Sequence, residues 1–160
     1  MKKAAVILGS DSDLKLAEDA FSVFEAYGIP YEKHIFSAHR TPDEAAAFAS
    51  QAREKGFGVL IAGAGMAAHL AGALAARTTL PVIGIPLAAG PFQGMDALFS
   101  TVQMPSGIPV ATVGVNGAKN AALLAAEILS LEDDGLAQKL QDARAEMRNT
   151  VLLKDQKLQG

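Results

Sequence analysis

Five short apolar runs, each followed by a stretch with helical spacing, restrict the folds open to this chain more than any other feature. Ala4 to Leu8 reads as a buried strand, and Leu14, Ala17, Phe21 and Phe24 then recur at helical spacing up to Gly28. Tyr31 to Phe36 is a second strand, more polar through Glu32, Lys33 and His34, as suits a sheet edge. Thr41-Pro42-Asp43-Glu44 has the form of a capping box with proline at the first helical position, opening a helix to about Lys55. Gly58 to Ala62 is a third strand, followed by a helix from Met66 to about Arg77. Pro81 to Ile85 and Ile108 to Val115 are the fourth and fifth strands, with a short helix from Met95 to Gln103 between them. Asn116-Gly117 then turns into a helix carrying Ala121, Leu124, Ala125 and Ile128 on one face.

Continuous apolar strands alternating with helices indicate a parallel sheet covered on both faces. Right-handed crossovers leave few topologies, and the expected fold is α/β. It is a flavodoxin-like three-layer α/β/α sandwich with a five-stranded parallel sheet in the order 2-1-3-4-5. One element is left over. Leu136, Leu140, Ala143, Met147 and Val151 form an extra amphipathic C-terminal helix of roughly twenty residues with no strand after it. It can pack on its own sheet or reach onto a neighbouring subunit.

The surface poses a separate question. The chain has 160 residues, half of them hydrophobic, and only 19% are charged. Soluble surfaces are usually designed with about 25–35% charged residues, so either both sheet faces are covered or much of the exterior is buried against other copies. A net charge of −3 and the lack of a basic stripe argue against a nucleic-acid binder. Met1-Lys2-Lys3 and the five apolar residues after it are too short for a signal peptide, and no run approaches the roughly 20 residues of a membrane span. A soluble cytoplasmic protein without membrane partners is expected.

In an open parallel sheet, ligands bind beyond the carboxyl ends of the strands where the strand order reverses. Three loops should meet there: Gly9 to Asp13, Ser37 to Pro42, and Gly63 to His69. In the first, a small-residue turn entering a helix offers free N–H groups to a phosphate. Ser10 and Ser12 add hydroxyls, and Asp13 suits sugar hydroxyls; equally, Ser12 or Asp13 can simply cap the helix. In the second, Arg40 offers a planar fork for phosphate or carboxylate, and His39 is a proton carrier near neutral pH. The plainer reading makes His39 a structural loop residue and Arg40 a surface charge. His34, mid-strand in a polar pattern, reads as surface.

In the third loop, Ala64 and Gly65 let the backbone approach a flat ligand closely. His69 falls in the first turn of the following helix, where a structural role or one behind the reacting groups is favoured. The chain has no cysteine, no G-x-S-x-G elbow, no H-E-x-x-H and no Walker loop, and His39 and His69 lack the clustered carboxylates of a zinc site.

Gly9-Ser10-Asp11-Ser12-Asp13, Ser37-Ala38-His39-Arg40-Thr41-Pro42, Ala62-Gly63-Ala64-Gly65 with Ala67-Ala68-His69-Leu70, Gln103-Met104-Pro105 and Asn120 to Ala126 occur in one characteristic order and spacing. In this the chain resembles the bacterial class I N5-carboxyaminoimidazole ribonucleotide mutases of purine biosynthesis, the PurE family, over nearly its whole length. The resemblance implies an isomerase that moves a carboxyl group from the exocyclic nitrogen of the imidazole ribonucleotide to ring carbon C4, through loss and recapture of CO2. It implies no cofactor and no metal. It makes His39 the catalytic proton shuttle, with Ser10, Asp13 and Arg40 holding the ribose phosphate part and Ser12 and Ser37 assisting. Ala64, Gly65 and His69 complete the expected substrate-binding set.

The resemblance also implies a homo-octamer with active sites between subunits. Residues 1–160 are then a single catalytic domain, with an α/β core over 1–131 and a helical extension over 132–160 at a subunit interface. There are departures from the family pattern. The usual Gly-Gly-Ala-Ala-His-Leu-Pro-Gly is Gly65-Met66-Ala67-Ala68-His69-Leu70-Ala71-Gly72 here, and Leu87 to Gln93 also differs. Met104 to Ile108 is similar to the related carboxylases, which use free CO2 on the aminoimidazole ribonucleotide. Against that class stand Arg40, where carboxylases carry lysine, and the Ala67-Ala68-His69 segment. A phosphoribosyl-binding module without catalysis is the third reading, and it leaves His39 without a purpose.

Overall fold

The computed structural model describes residues 1–159. Five parallel strands, β1 (Lys3–Leu8), β2 (Tyr31–Ile35), β3 (Phe57–Gly65), β4 (Val82–Leu87) and β5 (Ala111–Thr112), lie in the order β2-β1-β3-β4-β5. The helices are α1 (Leu14–Tyr27), α2 (Pro42–Gln51), α3 (Leu70–Ala75), α4 (Met95–Val102), α5 (Ala118–Ser130) and α6 (Asp134–Gln159). This is the expected three-layer sandwich.

Side chains on a strand point alternately to the two faces, so one apolar run feeds two cores. Ala4, Val6 and Leu8 join Ile61, Ile83 and Ile85 against α1 and α5, whereas Ala5 and Ile7 join Leu60, Ala62 and Val82 against α2 and α3. The alanines of α5 (Ala118, Ala121, Ala122, Ala125 and Ala126) are all fully buried. Their small size lets the helix lie close to α1 and the sheet. At the end of α1, Gly28 takes the left-handed conformation (φ 71°), and its N–H caps the carbonyls of Phe24 and Glu25.

Several local features differ from the sequence expectations. β3 continues through Gly63, Ala64 and Gly65 rather than ending at Ala62, because it is the central strand and pairs with β4 to its tip (Ala64 with Pro86, Gly65 with Leu87). Its glycines mark close approach: a Cβ on Gly63 would meet Leu8 Cδ2 at 2.8 Å, and one on Gly65 would meet Ala89 Cβ at 2.7 Å. α3 begins at Leu70, not Met66, since Met66 is in the left-handed region (φ 55°), which a helix cannot contain. β5 has two residues instead of the eight expected, as an edge strand preceded by Pro109, which has no N–H to donate. The capping box of α2 does not form. Thr41 makes no side-chain cap; its hydroxyl accepts from the Ser37 N–H (2.8 Å) and donates to the Ser37 carbonyl (3.2 Å).

α6 has 26 residues, about 39 Å of helix. Its first turns pack on the core through Leu136 and Leu140, Lys139 Nζ donates to the Tyr27 carbonyl, and Arg144 pairs with Glu127. From Arg144 onward every described residue is exposed, Met147, Val151, Leu152, Leu153 and Leu158 included. No helix among the described residues is long and apolar enough to cross a membrane.

Candidate active site

The loop from Ser37 to Thr41 is knitted around Ser37. Its carbonyl accepts from the Thr41 N–H (2.8 Å) and its hydroxyl from the Arg40 N–H (3.1 Å), beside the two bonds to the Thr41 hydroxyl. That closed turn explains why Thr41 is unavailable as a cap, and it presents His39 and Arg40 outward, both exposed. Arg40 Nη2 donates to the Gly9 carbonyl at 3.2 Å, which ties the end of β2 to the end of β1.

In the loop after β1, Ser10 rather than Ser12 or Asp13 makes the cap. Its hydroxyl oxygen accepts from the Ser12 N–H (3.3 Å) and from the Ser12 hydroxyl (2.9 Å), at the start of a single 3-10 turn leading into α1. Asp13 occupies the N-cap position of α1 without a capping bond, and it lines the cleft. Burial raises the Asp13 pKa above the ordinary 3.8, and the nearby Asp11 charge adds to this. The Ser10 backbone and the Ser12 side chain act in the opposite direction by hydrogen bonding to the carboxylate.

The third strand end brings the two histidines together. His69, at the N-cap of α3, lies edge-on to His39 with ring centroids 5.6 Å apart and planes at 63°. His34 is not on this side. It packs half-buried against Phe36 and Phe48 and bonds Glu32, so the reading of it as plain surface is corrected: the ring covers apolar area at the sheet edge.

All of the expected residues (Ser10, Ser12, Asp13, Ser37, His39, Arg40, Ala64, Gly65 and His69) line one cleft of about 460 Å³, within the range of small-molecule sites. Among the described residues no group of three or more His, Cys, Asp or Glu is arranged to hold a metal ion. Among the other lining residues, two stand out. Ala89 comes from a fourth loop, after β4, and Met66 projects into the opening with 53% of its surface exposed. The position of β4 beside β3 in the expected strand order was the available signal for Ala89.

Met66, Gln93 and Asn116 are the non-glycine residues at positive φ among those described, and they follow β3, β4 and β5 in turn. Asn116 suits that conformation and uses it: its Oδ1 accepts from the Ala88 N–H (2.9 Å), and its N–H donates to the Pro86 carbonyl (2.9 Å). Met66 has no side-chain hydrogen bond of this kind, but its carbonyl accepts from the Ala68 N–H (2.9 Å); a left-handed non-glycine residue costs about 1–3 kcal/mol.

Comparison with known proteins agrees with this geometry. Residues 3–150 match the family described as AIR carboxylase. The chain is 49% identical over 159 residues to the N5-carboxyaminoimidazole ribonucleotide mutase of Thermotoga maritima, covering 99% of this chain and 93% of that one. It is 52% identical over 149 residues to the Bacillus subtilis protein of the same name, covering 92% of each. Among solved structures, Treponema denticola PurE superposes with a TM-score of 0.88 at 31% identity, covering 97% of both chains. With that identity over nearly the full length, and with the family's loops gathered around one cleft, the chain belongs to the N5-carboxyaminoimidazole ribonucleotide mutase family.

Proposed function

We propose that this protein is an N5-carboxyaminoimidazole ribonucleotide mutase of purine biosynthesis, an isomerase acting on a ribonucleotide. The observation that carries the residue-level reading is the cleft itself: a paired imidazole (His39 and His69), a guanidinium (Arg40) and an acidic residue (Asp13) surround a floor of small residues. In the reaction the bond from the exocyclic nitrogen to the carboxyl carbon breaks, its electron pair stays on nitrogen, and CO2 is released beside the aminoimidazole ribonucleotide. Nitrogen takes up one proton. Carbon C4 then forms a bond to the CO2 carbon and gives up one proton, so no net proton is consumed. His39 donates the first and accepts the second, a role suited to an imidazole near neutral pH.

Arg40, Ser10 and Ser12 hold the phosphate, and Asp13 accepts from ribose hydroxyls. Ser37 fixes the turn that carries His39 and Arg40. Ala64 and Gly65 let the imidazole lie close to the backbone, and His69 orients His39. Trapping CO2 beside C4 turns an encounter into an intramolecular step, and an apolar floor keeps water away from it. Because the chain is acidic overall, local groups attract the anionic substrate rather than net charge.

The chain acts as a single catalytic domain in a cytoplasmic homo-octamer, with 132–160 at subunit interfaces. Supporting this, α6 is exposed from Arg144 onward, and Phe92, Met95, Phe99 and Val102 present an apolar flank on and beside α4. The deciding experiment offers each substrate alone. Conversion of the carbamate nucleotide without added bicarbonate supports the mutase. Efficient conversion only of aminoimidazole ribonucleotide with bicarbonate makes the protein a carboxylase, and binding without turnover of either makes it a binding module.

A further inference from the structure

The loop after β4 is held in the cleft wall from two sides. On one side Gly65, at the tip of β3, lies so close to Ala89 that an added Cβ would meet the Ala89 Cβ at 2.7 Å. Beside it, a Cβ on Gly90 would lie 3.3 Å from Met66 Cγ. On the other side stands Asn116, in the turn between β5 and α5. Its Oδ1 accepts from the Ala88 N–H (2.9 Å), and its own N–H donates to the Pro86 carbonyl (2.9 Å). One residue thus grips the chain both before and after it leaves β4. Gly94 closes the far end of the loop over the same turn, since a Cβ there would sit 2.5 Å from Val115 Cγ1 and 3.2 Å from Ala88 Cα.

The anchor is itself fixed. The Asn116 carbonyl accepts from the Ala118 N–H (3.0 Å), and Ala118 is fully buried at the start of α5. The loop it holds has no such footing of its own. Gly90, Gln93 and Gly94 are all left-handed (φ 67°, 51° and 91°), and glycine backbone is permissive, so the path of the loop depends on what grips it from outside.

Resting on the ribonucleotide reading above, we propose that Asn116 is a positioning residue. Through Ala88 it holds Ala89 against Gly65 and so fixes the wall on which the imidazole ring of the substrate lies. Asn116 does not line the cleft, whereas Ala64, Gly65 and Ala89 do. A wall displaced by a fraction of an ångström is enough to weaken a site built on close contact. The groups assigned to the ribose phosphate, Ser10, Ser12, Asp13 and Arg40, stand at the ends of β1 and β2 and do not rely on this anchor. Losing it should therefore be felt by the ring half of a ligand and not by the sugar phosphate half.

The test compares two probes on the full-length protein: the C4-carboxylated product nucleotide, and ribose 5-phosphate, which lacks the ring. Asn116→Gly removes Oδ1, keeps the N–H that bonds Pro86, and adopts a φ of 56° without strain, so its melting temperature should stay near the parent's. It is expected to bind the product nucleotide on the order of tenfold more weakly, with ribose 5-phosphate bound as by the parent. The KM for carbamate nucleotide should rise by a similar factor, with a smaller change in kcat. Asn116→Asp keeps an oxygen acceptor at the same reach and should restore both values.

Equal weakening of the two probes, or a loss that Asn116→Asp does not recover, makes Asn116 a general structural residue and overturns the proposal. Parent-like affinity of Asn116→Gly for the product nucleotide overturns it too. Should Asn116→Gly fail to fold, Asn116→Ser, whose hydroxyl is one bond short of Ala88, is read in the same way. The binding measurements stand whether or not carbamate nucleotide is turned over, so a failed mutase reading leaves the Asn116 role to be decided by them. A parent that binds neither probe defeats both.

Discussion

His39 and His69 meet edge to face, with ring centroids 5.6 Å apart, although they come from different strand ends and one was expected inside a helix. The contact limits how His39 can turn. If His39 carries the protons and His69 sets its orientation, the two must differ in effect. His39→Asn is expected to lower kcat by about 10²–10⁴-fold while product nucleotide still binds, and His69→Asn to lower it less. Steady-state kinetics with product titration by calorimetry checks both, and retained turnover in His39→Asn ends its assignment.

Arg40 donates to the Gly9 carbonyl through Nη2 and to the Ser37 hydroxyl through Nε (3.5 Å), leaving Nη1 for the substrate. Arg40→Lys keeps the charge but cannot make both contacts. Losing a charge-assisted bond of about 1.5–3 kcal/mol should raise KM roughly ten- to hundredfold, with a smaller change in kcat. An equal loss of kcat with unchanged KM would place Arg40 in the chemical step instead.

Asp13 gives a pH signature. Burial raises its pKa above 3.8 in the folded protein, so the folded state holds that proton more tightly than the unfolded chain does. The protonated form is therefore favoured by folding at low pH. This contribution is lost as pH rises through the raised folded value, beyond which the ionised carboxylate weakens the fold. Asp13→Asn should match the parent in thermal stability at about pH 3 and exceed it slightly near neutrality, while binding nucleotide more weakly. Thermal melts across pH, with and without product, measure both effects, and a less stable Asp13→Asn at neutral pH would contradict them.

Gly84 on β4 tests the packing behind the site. A Cβ there would lie 2.3 Å from Cγ2 of Thr101, whose side chain is buried and bonded to the Ala97 carbonyl. Gly84→Ala is expected to cost about 1–3 kcal/mol in urea unfolding, with turnover per folded molecule unchanged. Thr101→Ser removes the clashing methyl and keeps the hydroxyl, so the double variant should regain part of the loss.

The exposed end of α6 tests the assembly. Replacing both Leu152 and Leu153 with aspartate leaves the chain's own core untouched, because neither packs against it. Sedimentation equilibrium should show the parent at eight times the chain mass and the variant at a lower multiple. A monomeric parent ends the octamer reading and leaves the low charge of the surface without this explanation.

The sequence by itself determined the layers, the strand order and the three loops that hold most of the site. The strands and layers follow from local periodicity, since an apolar run between turn residues specifies a buried strand without knowledge of its neighbours; the strand order and the meeting of the loops follow from crossover handedness and the switch-point rule. The tertiary structure decided what depends on close approach. Gly63 and Gly65 look like loop residues in isolation, yet they are strand because Leu8, Leu87 and Ala89 press against them. Thr41 looks like a helix cap and instead closes the turn beneath His39. The Met66–Gly90 contact was beyond reach for the same reason: it pairs segments more than twenty residues apart, and no local pattern encodes the distance between them. The charge question stands between the two. Composition showed that charge was scarce, and the fold located the uncovered apolar surface on α4 and the far half of α6.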